Sequence, residues 1–163
     1  MKLKLLLAAP LFAFCFGLAG CVGPVPVDVV MDGGDIYFVL EAEYSVSALR
    51  VATRPVAEGK PVTLWELRHD MGTPTNQRKY PELKAIKYGA KFDEFPLVKG
   101  PADLAKDTEY VVALDLGDKF AKETFLITAE GKVVMPNPAF QRQRTRTYTV
   151  LTDQAGNKTF TIK

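Results

Sequence analysis

Short apolar runs, separated by clusters of Gly, Pro, Asp and Asn, recur along most of this chain and limit its fold more than any other feature. Each run is long enough for one strand, and none is followed by the long helical crossover that a parallel sheet requires. The pattern therefore predicts an antiparallel β-sandwich with strands at residues 25–31, 36–43, 46–54, 62–68, 83–88, 109–116 and 123–129. Residues 55–61, 72–80 and 89–101 are predicted connections, and only residues 77–84 and 117–122 leave room for a turn or two of helix.

A second strand-like pattern follows the seventh run. Residues 135–138 (Met-Pro-Asn-Pro) break the chain, and residues 147–152 and 158–163 then alternate apolar and polar side chains around the turn formers at 153–157. This pattern predicts an extra C-terminal hairpin. We expect a solvated hairpin at an edge of the sandwich.

The segment from Leu104 to Val112 carries the most specific internal spacing. Leu104, Thr108 and Tyr110 lead into a strand of alternating apolar residues. This spacing resembles fibronectin type III and related immunoglobulin-like sandwiches, although Lys106 stands where a proline is usual. The resemblance implies a tyrosine corner, in which the hydroxyl of Tyr110 bonds to the backbone just upstream. The alternative is a solvent-facing loop with Tyr110 merely packed.

Trp65 is the only tryptophan, and it shares a strand face with Thr63 and Leu67. Because tryptophan buries a large area in a small sandwich, we predict a core anchor. The alternative is an exposed aromatic residue that binds a partner.

The first twenty residues indicate an export signal, with Lys2 and Lys4 at its start, an apolar middle at residues 5–16 and a small-residue exit at 18–20. A membrane-spanning helix needs about 20 consecutive apolar residues. Pro10 and Gly17 interrupt this stretch, so we interpret residues 1–20 as a signal peptide that is removed.

Leu18-Ala19-Gly20-Cys21 resembles the lipobox of bacterial lipoproteins at every position. The resemblance implies that Cys21 carries fatty acids such as palmitate and begins the mature chain, where two acyl chains already suffice for stable anchoring. Val22 in place of Asp resembles lipoproteins of the outer membrane, so the expected location is its periplasmic face. The alternatives are ordinary cleavage with a free thiol, and a buried Cys21 that packs as a small hydrophobe.

These features divide the chain into four parts. Residues 1–20 are the lipoprotein signal peptide, 21–27 the acylated cysteine and tether, 28–135 the sandwich, and 136–163 a basic linker and the hairpin. Cys15 leaves with the signal, so the mature chain has no disulfide and must rest on its apolar core.

No residue pattern names a reaction. His69 is the only histidine, which excludes a multi-histidine zinc site, and the only serines, Ser45 and Ser47, lie outside any nucleophile elbow. The chain has no phosphate-binding or dinucleotide-binding motif. We therefore predict that the protein is not an enzyme and binds no metal or cofactor. The alternative is a glycosidase-like site, in which two of the many carboxylates would converge in the fold.

The charges are unevenly distributed. Without Lys2 and Lys4 the 21 basic residues fall to 19, which equals the 19 acidic residues. Arg142, Arg144 and Arg146, here called the tail arginines, alternate and would project to one side of an extended chain. They are candidates for contact with an acidic partner surface or a lipid phosphate. A neutral anchored protein is a poor candidate for binding nucleic acid.

The sequence thus favours an envelope-anchored, non-catalytic lipoprotein that binds a protein partner in the periplasm. Its plan, a lipobox followed by a small sandwich, resembles immunity lipoproteins of type VI secretion systems. That resemblance implies protection against a periplasmic antibacterial toxin. The alternatives are a structural or assembly lipoprotein of an envelope complex and a small cell-wall hydrolase.

Overall fold

The computed structural model describes residues 24–54, 59–93, 95–136, 148–156 and 158–162. The described residues form eleven strands and one short 3-10 turn at Thr75–Gln77. The strands are β1 Val27–Asp32, β2 Asp35–Ser45, β3 Ala48–Thr53, β4 Thr63–Arg68, β5 Glu82–Lys87, β6 Leu97–Lys99, β7 Thr108–Asp115, β8 Phe120–Ile127, β9 Val133–Val134, β10 Tyr148–Thr152 and β11 Lys158–Ile162.

Two antiparallel sheets face each other, which confirms the predicted all-β sandwich. One has the order β1-β2-β5 and the other the order β6-β4-β3-β7-β8-β9. Alternate side chains from both sheets meet between them, and the largest of these are completely or almost completely buried. They include Phe38, Leu49, Trp65, Tyr110 and Phe125.

The structure adds two strands that the apolar pattern did not predict. Strand β6 lies inside the predicted connection 89–101, and β9 follows the seventh run. Each pairs with a single neighbour at an edge of the six-stranded sheet. Runs of two or three residues are too short to show an alternating pattern, and only pairing with a neighbouring strand makes them strands.

The two segments left open for helix are not helical. Residues 117–122 run into β8, whose eight residues all pair with β7. Residues 77–84 contain the end of the 3-10 turn and the start of β5. In these segments, pairing with neighbouring strands therefore outweighs any local preference for helix.

Tyr110 makes the hydrogen bonds that the Leu104, Thr108 and Tyr110 spacing predicts. Its hydroxyl accepts a hydrogen bond from the Ala105 N–H at 2.7 Å and donates one to the Ala105 carbonyl at 3.1 Å. Leu104 packs against the main core. The corner thus fixes the turn before β7 to the centre of the large sheet.

The position of the C-terminal hairpin differs from the expected solvated edge. Strands β10 and β11 pair only with each other, and their apolar side chains cover the outer face of the three-stranded sheet. The rings of Phe160 and Tyr37 lie 4.9 Å apart. The hydroxyl of Tyr148 donates a hydrogen bond to the Asp28 carboxylate. The protein is therefore a sandwich with a partial third layer.

Strand β2 shows why this third layer forms. Residues 36–40 are all buried. Ile36, Phe38 and Leu40 pack in the main core, whereas Tyr37 and Val39 pack against the hairpin. Lys158 adds a hydrogen bond to the Asp32 carboxylate, which raises the pKa of Lys158. A hairpin at a sheet edge would leave Tyr37 and Val39 exposed.

The predicted tether, residues 21–27, is shorter in the structure. Val25 is buried, donates its N–H to the Phe120 carbonyl at 2.7 Å and forms a parallel bridge with Ala121. Strand β1 then begins at Val27 in the opposite sheet. Residues 25–27 therefore belong to the sandwich, because Val25 and Val27 are part of its core.

Candidate functional site: the open face of the large sheet

The outer face of the six-stranded sheet is the largest strand surface that no described element covers. Register and alternation place on it the outward residues of β3, β4, β6, β7, β8 and β9, here called the open face. Its residues are Ala48, Arg50, Ala52, Arg54, Glu66, Arg68, Lys99, Glu109, Val111, Ala113, Asp115, Phe120, Lys122, Thr124, Leu126 and Val134.

Small side chains make the middle of this face flat. Ala52, Val111 and Thr124 occupy one row across β3, β7 and β8, and Ala113 lies in the next row. Arg50 and Lys122 lie on either side of Ala113 in that row. The centre of the open face therefore combines short side chains with two flanking cations.

Two ion pairs lie on the open face. Arg54 and Glu109 meet at 2.8 Å, and so do Arg68 and Glu66. All four side chains are partly exposed, so each pair stabilises the fold by less than about 1 kcal/mol. Their main effect is to neutralise two of the carboxylates on this face.

The remaining cations give the open face a positive surplus. Arg50, Lys99 and Lys122 are exposed and make no ion pair with any residue that the structure describes. Glu66 lies opposite both Arg50 and Lys99 in the register, but it already bonds to Arg68. Five cations thus face three carboxylates on the open face.

Apolar side chains flank these charges on the β8–β9 side. Phe120 is 51% exposed and Val134 is 41% exposed, and Leu126 lies opposite Val134 in the register. Exposed apolar groups beside unpaired cations are typical of interaction surfaces. The open face can therefore offer both apolar contact and attraction to negative charge.

Trp65 lies beneath the open face and is completely buried. Its ring stacks on Phe38 at 6.5 Å and meets the edge of Tyr88 at 5.2 Å. Trp65 is thus placed in the core and is not available as a binding aromatic. Cys21 and the tail arginines lie outside the described residues.

The single histidine has a structural partner. His69 Nε2 lies 2.6 Å from the Lys79 carbonyl, and its ring meets Tyr80 edge-on at 5.4 Å. Ser47 donates its hydroxyl hydrogen bond to the Asp115 carbonyl. Within the described ranges, no three His, Cys, Asp or Glu side chains converge as a metal site would need.

Two clefts lie away from the open face. One of about 700 Å³ opens between β1, β9 and β10, and another of about 480 Å³ lies at one end of the sandwich beside Tyr88. The hydroxyl of Tyr88 donates to the Ala102 carbonyl at 2.7 Å. Burial, and to a smaller extent electrostatic repulsion from Tyr110, raises the pKa of Tyr88 to about 12. This phenol is therefore neutral at ordinary pH. The described residues that line the two clefts include no serine, cysteine or histidine.

No sequence pattern marks the open face. Arg50 and Lys122 alternate with buried residues and look like ordinary solvated strand positions. The sheet order brings them to one surface, and the hairpin packs on the other sheet, so no described element covers that surface.

Among the described residues, no helix has the length and apolar character needed to span a membrane. Comparison with known proteins gives no matching family model, no matching curated protein and no matching solved structure.

Proposed function

We propose that this protein is an envelope-anchored, non-catalytic lipoprotein that binds a protein partner in the periplasm through its open face. The observation that carries the proposal is the unpaired positive charge of Arg50, Lys99 and Lys122 beside exposed apolar groups. Charge complementarity specifies a partner with an acidic surface. Neutralising a toxin in the periplasm is one function of this kind, and the lipobox resemblance supports it.

Anchoring follows from the proposed acylation of Cys21. Cys21→Ser should release the protein from membranes or stall the precursor, because the acyl chains on Cys21 are the proposed anchor. Intact mass of the wild-type protein provides the direct measurement. A mature chain with an unmodified Cys21 thiol would contradict this part of the proposal.

The open face can be tested by reversing its charge. The double variant Arg50→Glu, Lys122→Glu should lose binding to a partner captured by the soluble form that begins at Gly23. The matched control is Lys106→Glu, Lys132→Glu, which makes the same change in net charge at exposed positions off the open face. Equal binding by both double variants would exclude the open face as the contact surface.

A further inference from the structure

Three connections lie at the end of the sandwich where the tether enters. The register places the 46–47 turn, the 116–119 turn and the 69–81 loop at this end, because Ala48 lies opposite both Arg68 and Asp115, and Ser45 lies opposite Glu82. We call these three connections the tether end.

Two large apolar side chains project from the tether end. Phe120 follows the 116–119 turn and is 51% exposed, and Met71 in the 69–81 loop is 83% exposed. Arg68, Ala48, Asp115 and Phe120 occupy one row of the sheet. Three strand spacings of about 4.8 Å separate Arg68 from Phe120. Met71 follows Arg68 by three residues, so both apolar groups lie at the tether end.

The loop that carries Met71 is held in place. Arg78 donates hydrogen bonds to the Thr73 carbonyl at 2.8 Å and to the Met71 carbonyl at 2.9 Å. Asp70 accepts a hydrogen bond from the Gly72 N–H at 2.9 Å. These hydrogen bonds fix the backbone of the loop, so Met71 is exposed in an ordered loop.

The covalent connection to Cys21 limits how far this end can lie from a membrane. Val25 bonds to the Phe120 carbonyl, and it is four residues from Cys21. An extended chain spans at most about 3.6 Å per residue, so the two Cα atoms are no more than about 14 Å apart. Strand β8 has eight residues and is about 27 Å long. Phe120 is thus at the end of β8 that the tether keeps close to the acyl chains.

We infer that the tether end rests on the bilayer that holds Cys21, with Phe120 and Met71 entering the boundary between headgroups and acyl chains. This inference rests on the proposed acylation. Lys119 lies beside Phe120, but Asp118 offsets its charge in the same turn. The contact therefore depends on apolar insertion more than on anionic lipid.

This contact sets the orientation of the domain. The strands then run away from the membrane, and the open face stands beside it, accessible from the periplasm. A partner can reach Arg50, Lys99 and the apolar groups at Leu126 and Val134 without displacing lipid, whereas Phe120 belongs to the membrane contact and not to the partner contact.

The test uses the acylated full-length protein in vesicles of phosphatidylethanolamine and phosphatidylglycerol with brominated acyl chains, which quench tryptophan by contact. Phe120→Trp and Met71→Trp place a reporter at the tether end, and Val62→Trp is the matched control. Val62 is 55% exposed and lies next to β4 at the opposite end. Buried Trp65 supplies a constant background that is measured in the wild-type protein.

We expect brominated lipid to remove most of the added fluorescence of the Phe120→Trp and Met71→Trp proteins and none of that of the Val62→Trp protein. Two results would overturn the inference without contradicting the acylation of Cys21. One is equal quenching at both ends of the domain, and the other is no quenching at the tether end although the protein floats with the vesicles. If the wild-type protein does not float and has the mass of an unmodified chain, both the acylation and the membrane contact are overturned. Because Met71 is so exposed, Met71→Trp keeps the test decisive if Phe120→Trp fails to fold.

Discussion

Removing the hydroxyl of Tyr110 tests the corner that holds the chain before β7. Tyr110 is 2% exposed, and its hydroxyl makes two hydrogen bonds with Ala105, at 2.7 and 3.1 Å. A hydrogen bond stabilises a protein by about 0.5 to 1.5 kcal/mol net. Ala105 itself is exposed, so water can reach its peptide groups in the variant. We therefore expect Tyr110→Phe to lower the free energy of unfolding by about 1 to 2 kcal/mol.

Urea unfolding of a lipid-free Cys21→Ser chain, followed by Trp65 fluorescence, measures this loss directly. With an m-value of about 2 kcal/mol/M, the midpoint should fall by roughly 0.5 to 1 M. The matched control is Tyr88→Phe, which removes one hydrogen bond, to the Ala102 carbonyl at 2.7 Å. An unchanged midpoint for Tyr110→Phe, or a smaller loss than in Tyr88→Phe, would refute the argument from two bonds.

Four further predictions concern other parts of the chain. Phe160→Ala should remove about 3 to 5 kcal/mol of apolar packing from the hairpin and raise its hydrogen exchange while the sandwich core stays protected; Leu151→Ala, at a side chain that is 60% exposed, should change neither. Gly100→Ala should lower the melting temperature more than Gly117→Ala, because both glycines have positive φ but only a Cβ at Gly100 would lie 1.9 Å from a backbone oxygen; equal losses would contradict this. The pKa of Tyr88 is about 12 against an ordinary 10.0, so the unfolded chain loses this proton first and the free energy of unfolding should fall as the pH rises from about 10 to 12, less steeply in Tyr88→Phe. Replacing all three tail arginines by Gln should slow association with the partner at low salt and leave dissociation nearly unchanged; an association rate indifferent to both salt and substitution would exclude steering.

Local sequence patterns were sufficient to predict features that depend on a single strand or turn. The alternation in 109–116 matches β7, and the hairpin segments at 147–152 and 158–163 match β10 and β11 within one residue at each end. The spacing of Leu104, Thr108 and Tyr110 also indicates which backbone the tyrosine hydroxyl reaches. Each of these depends on residues that are close in the sequence.

Burial on both faces of β2 was visible in the sequence but was not used. Residues 36–40 form an unbroken apolar run, which is typical of a strand covered on two sides. In a two-layer sandwich one face of such a strand is free. The run therefore required a third layer, and the hairpin supplies it.

By itself, the sequence determined the strand content, the tyrosine corner and the expectation of an acylated cysteine, because each depends on a short run of neighbouring residues. The tertiary structure alone decided which sheet the hairpin covers, and so which face the described elements leave open. It also placed Phe120 beside Val25, 95 positions away in the chain. Contacts between distant segments depend on sheet order and register, and these follow from burying all the apolar faces at once. No local pattern of side chains encodes that global arrangement.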